Sequence, residues 1–222
     1  MRIGALRLSE LDRGGAVEET ASRAGALTRR GLLGGGAVLA AGLAAPAAEA
    51  QGSDEDILNY ALALEYLQAA FYTEAERLGA LRGAFAEQAR VVGAHERAHV
   101  TALRDALGGA AIRRPRFDFG GVTEDQPAFR RTAVAFEDLG TAAYKDQAPR
   151  IRSRAYLAAA LRIHSVEARH AAWIRRLAGV VPAPDAFDEP LPRRRVLRVV
   201  ADTGFVTSAP RTSAFGSPRF TG

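Results

Sequence analysis

Two short strings in the chain, Glu96-Arg97-Ala98-His99 and Glu167-Ala168-Arg169-His170, place a glutamate three residues ahead of a histidine. On a helix, residues three apart share one side, one turn from each other, so each string offers a carboxylate and an imidazole to one point in space. Two more glutamates stand alone in apolar stretches: Glu65 precedes Glu96 by 31 residues, and Glu137 precedes Glu167 by 30. Carboxylate and imidazole donors suit iron and manganese, and the donor types do not choose between them. The chain has no cysteine, which excludes disulfides, thiolate metal sites and iron–sulfur clusters.

These residues need helices to position them, and the chain predicts four. Ser53-Asp54-Glu55-Asp56 supplies a serine cap and a run of acids for the start of the first, which runs to about Leu78 and stops at Gly79. The second runs from about Gly83 to Leu107 and stops at Gly108-Gly109. The third starts near Gln126-Pro127 and ends before Pro149; the fourth runs from about Pro149 to Ala178 and is closed by Gly179. Short links make each pair antiparallel. The long connection 108–125, with Pro115, Gly120 and Gly121, permits a crossover between helices two and three. The expected fold is therefore all-α, an antiparallel four-helix bundle over 51–180. A Pro- and Arg-rich extension over 181–222 follows, with a short helix from Arg193 to Val200 and disorder from about Thr207.

An apolar seam at steps of four and three runs through each helix. It reads Leu58, Leu62, Glu65, Ala69, Tyr72 in the first and Val92, Glu96, His99, Leu103, Ala106 in the second. It continues as Ala133, Glu137, Gly140, Tyr144 in the third and Tyr156, Ala160, Ile163, Glu167, His170, Ile174, Leu177 in the fourth. Every seam thus carries a glutamate where a core residue belongs. One buried carboxylate can be satisfied by neighbours, but four isolated ones are prohibitive. No matching lysine or arginine lies on these seams, whereas two divalent cations would balance four carboxylates.

The halves also repeat. Tyr72 follows Glu65 by seven and Tyr144 follows Glu137 by seven, as an internal pseudo-twofold around one shared centre requires. Either tyrosine can hydrogen-bond a ligating carboxylate or relay electrons, or be a core aromatic with a satisfied hydroxyl. His95 points about 100° away from Glu96 and reads as a surface or outer group, not a ligand. His164, three residues before Glu167, is open between an approach to the site and a plain interhelical hydrogen bond. Trp173 reads as packing. Gly140 and Ala69 would leave room for metals, oxygen or peroxide, and small-residue packing explains them equally well.

On these residues the chain resembles the ferritin-like superfamily, and within it exported bacterial ferritin-like domain proteins related to desiccation-associated proteins. The resemblance covers about residues 54–179. It implies that Glu65, Glu96 and His99 serve one metal and Glu137, Glu167 and His170 the other, with Glu96 and Glu167 as bridges. It implies two iron or manganese ions and oxygen or peroxide as reactant. There is no cysteine-rich electron-transfer module, and nothing specifies a storage cage or an oligomer.

Residues 1–50 read as an address. Thr28-Arg29-Arg30-Gly31 leads into an uncharged run, Leu32 to Ala45, too short to span a bilayer, and then Ala48-Glu49-Ala50. The adjacent arginines resemble a twin-arginine export signal, which implies recognition by that machinery, a mature chain from Gln51 and a periplasmic or extracellular destination. Gly34-Gly35-Gly36 lacks the strand before it and the Gly-Lys-Ser/Thr after it that a phosphate loop needs. The net charge of +5 does not mark a nucleic-acid binder, because the 30 basic residues are scattered among 25 acids. Three functions stay open: a redox enzyme of ferroxidase, peroxidase or catalase type, a metal-binding or stress-protective protein without turnover, and a metal-free structural bundle.

Overall fold

The computed structural model describes residues 52–208. Its helices are α1 (Asp54–Leu78), α2 (Gly83–Leu107), α3 (Gln126–Gln147), α4 (Arg154–Leu177) and α5 (Arg193–Asp202). Two short strands, β1 (Arg116–Phe117) and β2 (Val206–Ser208), pair antiparallel. Local chemistry sets the helix ends. The Ser53 hydroxyl accepts the Asp56 N–H at 3.1 Å while the Asp56 carboxylate accepts the Ser53 N–H at 3.0 Å, a reciprocal cap for α1. Gly79 closes α1 at φ 63°, a left-handed conformation that glycine adopts without a steric penalty. Asp125 caps α3 by accepting the Ala128 N–H at 2.7 Å, with Pro127 in the first turn.

Long-range hydrogen bonds at the helix ends fix the topology. The N–H groups of Arg152 and Ser153 donate to the Asp54 carboxylate at 2.9 and 2.8 Å, so α1 and α4 begin at the same end of the bundle. Asn59 donates to the Ala110 carbonyl at 3.0 Å and accepts the Ile112 N–H at 2.8 Å, which brings the end of α2 there as well. At the far end the Arg82 N–H donates to the Gln126 side chain at 2.8 Å, so α2 and α3 start together. The connection 108–125 must therefore travel the length of the bundle. This is the crossover expected from its length.

The covering of α1 exceeds the seam expected of it. Every residue from Tyr60 to Tyr72 is buried. A helix that is apolar on all sides needs cover on all sides, and the crossover and the C-terminal segment supply it. Phe71 packs edge-on to Phe119 of the crossover at 5.5 Å, and the Arg193 guanidinium sits 4.9 Å over the Tyr60 ring. Val196 and Val200 of α5 are fully buried in the same core. The helices α1 and α2 also come close at Gly93, where a Cβ would lie 3.0 Å from the Tyr72 Cβ.

Two expectations need correction. Helix α4 starts at Arg154, not near Pro149: residues Ala148–Arg150 form a 3-10 turn, and the Ser153 hydroxyl supplies the cap by accepting the Tyr156 N–H. The tail expected to be disordered from about Thr207 holds a short strand up to Ser208, where Val206 and Ser208 pair with Phe117 and Arg116 of the crossover; the residues after it lie outside the described residues. Residues 1–50, with the expected export signal, lie outside the described residues. Among the described residues no helix is long and apolar enough to cross a membrane.

Candidate metal centre

The four long helices each deliver a seam glutamate to the middle of the bundle. Glu65, Glu96, Glu137 and Glu167 are all at most 1% exposed. His99 and His170 join them from α2 and α4. Donor atoms of Glu65, Glu96, His99 and Glu167 lie within 4.8 Å of one another, and so do those of Glu96, Glu137, Glu167 and His170. Glu96 and Glu167 belong to both groups. The structure thus brings all six sequence-expected residues together, in two overlapping sets that share one glutamate from α2 and one from α4.

Both histidines turn Nδ1 inward. His99 Nδ1 is 3.1 Å from Glu167, 3.3 Å from Glu65 and 3.7 Å from Glu96. His170 Nδ1 is 3.0 Å from Glu96, 3.5 Å from Glu137 and 3.7 Å from Glu167. The outer glutamates are braced by tyrosines from the opposite half: Tyr144 donates to Glu65 at 2.7 Å and Tyr72 donates to Glu137. Both tyrosines thus take the hydrogen-bonding role that the sequence left open. Burial raises the pKa of each phenol, and the neighbouring Glu65 or Glu137 carboxylate raises it further. Each hydroxyl therefore stays a donor.

The shared glutamates differ sharply from the braced one. Burial pushes the Glu96 carboxyl well up, and the Glu65 charge adds to it. Glu167 is also pushed well up, by burial and then by the charges of Glu96 and Glu65. Glu65 is held below its usual value, because contacts with His99 and Tyr144 outweigh its burial. Burial pushes His99 down, but the carboxylates of Glu167, Glu65 and Glu96 overcome it and raise the imidazole to about 12.

Both oxygens of Glu96, both of Glu167, one of Glu137 and Nδ1 of His170 are buried without a hydrogen-bond partner of acceptable geometry. Buried polar groups are normally satisfied, so six orphaned atoms around one point mark a place built for something else. Divalent cations with oxygen and nitrogen ligands fit that donor set. The small Gly140 helps: a Cβ there would sit 3.2 Å from Glu167 Oε2 and 3.1 Å from the Gln68 amide oxygen. At the end of the bundle where α1 begins, a cavity of about 40 Å³ abuts Tyr144, lined chiefly by apolar residues that include Leu58, Ala102, Ala160 and Ile163.

Three residues near the site were not assigned to it by spacing. His95, read as an outer group, places Nδ1 2.9 Å from His170 Nε2. Gln68 is buried against Gly140, and Gln88 lies buried beside the Tyr72 hydroxyl. Gln68 was open to detection, since it falls three residues after Glu65 on the same helix face. Gln88 carried no such signal. His164 stays out of the cluster: it is half-buried near Lys145 and Asp188. Trp173 packs against the core.

No protein of curated function matches this chain. A family model described as a ferritin-like domain matches residues 53–180, more than half of the 222 residues. That span coincides with the four long helices that carry the carboxylate and histidine cluster, and the chain belongs to the ferritin-like domain family.

Proposed function

We propose that the cluster holds two divalent cations, iron or manganese, and that the protein performs redox chemistry with oxygen or peroxide, as a ferroxidase, peroxidase or catalase does. The observation that carries this reading is the sharing of Glu96 and Glu167 by both donor sets, with all four of their oxygens free of hydrogen bonds. Glu65 with His99 would complete one position and Glu137 with His170 the other. When bound, such a pair of ions supplies a two-electron couple and a binding point for a small oxidant.

The chain's own residues have defined tasks in this scheme. Tyr144 and Tyr72 hold one oxygen of Glu65 and Glu137, which leaves the other oxygen of each to face the centre. The surrounding side chains exclude bulk water. The adjoining cavity of about 40 Å³ is small and lined chiefly by apolar residues, which suits a reactant of a few atoms such as oxygen or peroxide. The same enclosure favours a second reading, a metal-binding or stress-protective protein without turnover.

Turnover separates the two. Protein loaded with Fe(II) or Mn(II) is mixed with oxygen or peroxide, beside a Glu96→Ala variant. Catalytic consumption that the variant loses supports the enzyme. Metal uptake with no turnover assigns the second reading.

We also propose that residues 1–50 direct export by the twin-arginine route, on the strength of Arg29-Arg30, the uncharged run and Ala48-Glu49-Ala50. An exported protein whose N-terminal sequence starts at Gln51 supports this. Retention in the cytoplasm with an intact N-terminus contradicts it.

A further inference from the structure

The two halves of the centre differ at single residues. Setting Glu96 against Glu167 places His95 opposite Val166 and Gln88 opposite Ala159. His95 therefore has no counterpart in the other half. Its Nδ1 lies 2.9 Å from His170 Nε2, with the two rings 14° from parallel and their centroids 5.2 Å apart. Nearly coplanar rings with so short a nitrogen separation meet edge to edge, as an imidazole–imidazole hydrogen bond requires. Among the described residues His99 has no such partner. Valine has no hydrogen-bonding side chain, and the polar contacts of His99 among the described residues all run from Nδ1 to the carboxylates.

The consequence follows from proton placement. A ring nitrogen that binds a cation carries no proton, so His170 bound through Nδ1 keeps its proton on Nε2. That N–H donates to His95 Nδ1, which places the His95 proton on its other nitrogen. A hydrogen bond of this kind fixes the tautomer and ring angle of a ligating histidine and raises its basicity, commonly by enough to change metal affinity about 10- to 100-fold. The outer glutamate on this side is also the one whose tyrosine, Tyr72, has the Gln88 amide beside it. Tyr144 instead borders the apolar cavity.

We propose that His95 is a positioning residue that makes the two metal positions unequal: the position served by Glu137 and His170 binds a divalent cation more tightly than the one served by Glu65 and His99. This inference rests on the two-metal reading above.

The test is an anaerobic titration of the metal-free full chain with Mn(II), with free Mn(II) followed by electron paramagnetic resonance. The wild type is expected to fill in two steps, separated by about 10- to 100-fold in affinity. His95→Val, which copies the other half, is expected to weaken the first step by that factor and leave the second in place, so the steps merge. His95→Gln, whose amide oxygen can accept the Nε2–H, is expected to restore the separation in part. Should the valine variant melt lower without metal, the glutamine variant decides alone. Two ions bound with both steps indifferent to His95 overturn this inference and leave the two-metal reading standing. No uptake by the wild type overturns both.

Discussion

The Tyr144 hydroxyl on α3 donates to the Glu65 carboxylate on α1 at 2.7 Å, and Tyr72 on α1 makes the matching contact with Glu137 on α3. Each tyrosine follows one glutamate by seven residues along its own helix, yet serves the glutamate of the other. The pairs lock α1 to α3 across the pseudo-twofold and orient the two outer carboxylates. Removing a donor from a buried carboxylate costs about 1–3 kcal/mol. Tyr144→Phe is therefore expected to destabilise the metal-free protein by that amount in urea denaturation. An unchanged midpoint and slope would show that the contact contributes nothing.

Gly140→Ala separates stability from metal binding. Alanine in a helix is favoured over glycine by about 1 kcal/mol, but the added Cβ would crowd Glu167 Oε2 at 3.2 Å and the Gln68 oxygen at 3.1 Å. The variant is expected to keep or exceed the wild-type melting temperature without metal, and to bind metal about tenfold more weakly. Calorimetric metal titration beside a thermal melt reads both. Wild-type affinity in the variant would mean that Glu167 moves freely.

Without metal, the cluster favours the protonated forms of several of its groups. Burial and neighbouring charge raise Glu96 and Glu167, and the surrounding carboxylates lift His99 to about 12. A cation must displace protons from these ligands. Acid supplies the competitor, so affinity falls as pH falls and rises with pH, by about tenfold per pH unit for each proton displaced. Titrations between about pH 6 and 8, in buffers of different ionisation heat, measure the protons released. A flat profile with no release contradicts the protonated cluster.

The C-terminal segment is a structural part of the bundle although the family match ends at residue 180. Val196 and Val200 are fully buried, and Phe205 packs edge-on to Phe119 at 5.3 Å. Truncation after residue 180 would strip α5 from the core it shares with α3. A single charge tests the same contact: Val200→Asp places an unpaired carboxylate in the core and is expected to cost more than about 3 kcal/mol. Denaturation near the wild-type midpoint would show that α5 detaches without penalty.

Much of this was legible in the sequence, for local reasons. Ser53, Gly79, Pro127 and Gly179 bound or cap helices through chemistry that acts within a few residues. The spacings of Glu96 with His99 and Glu167 with His170 follow from helix geometry alone. What escaped depends on distant chain segments. The outer side of α1 is covered in part by the crossover, through Phe119, and by Arg193 at the start of α5. The start of α4 is set by Ser153 and by the Asp54 carboxylate about a hundred residues away, which local reading of Pro149 missed. Whether a tyrosine serves its own helix or the opposite one, and whether exposed His95 reaches His170, depends on how the helices face each other.

Metal content measured by mass spectrometry on the purified protein tests the central claim most directly. The account predicts two iron or manganese ions per chain, and their loss in Glu65→Ala together with the stability that binding confers. Protein that holds no metal, and takes up neither Fe(II) nor Mn(II) under anaerobic titration, would contradict it and leave the buried carboxylates to protons alone.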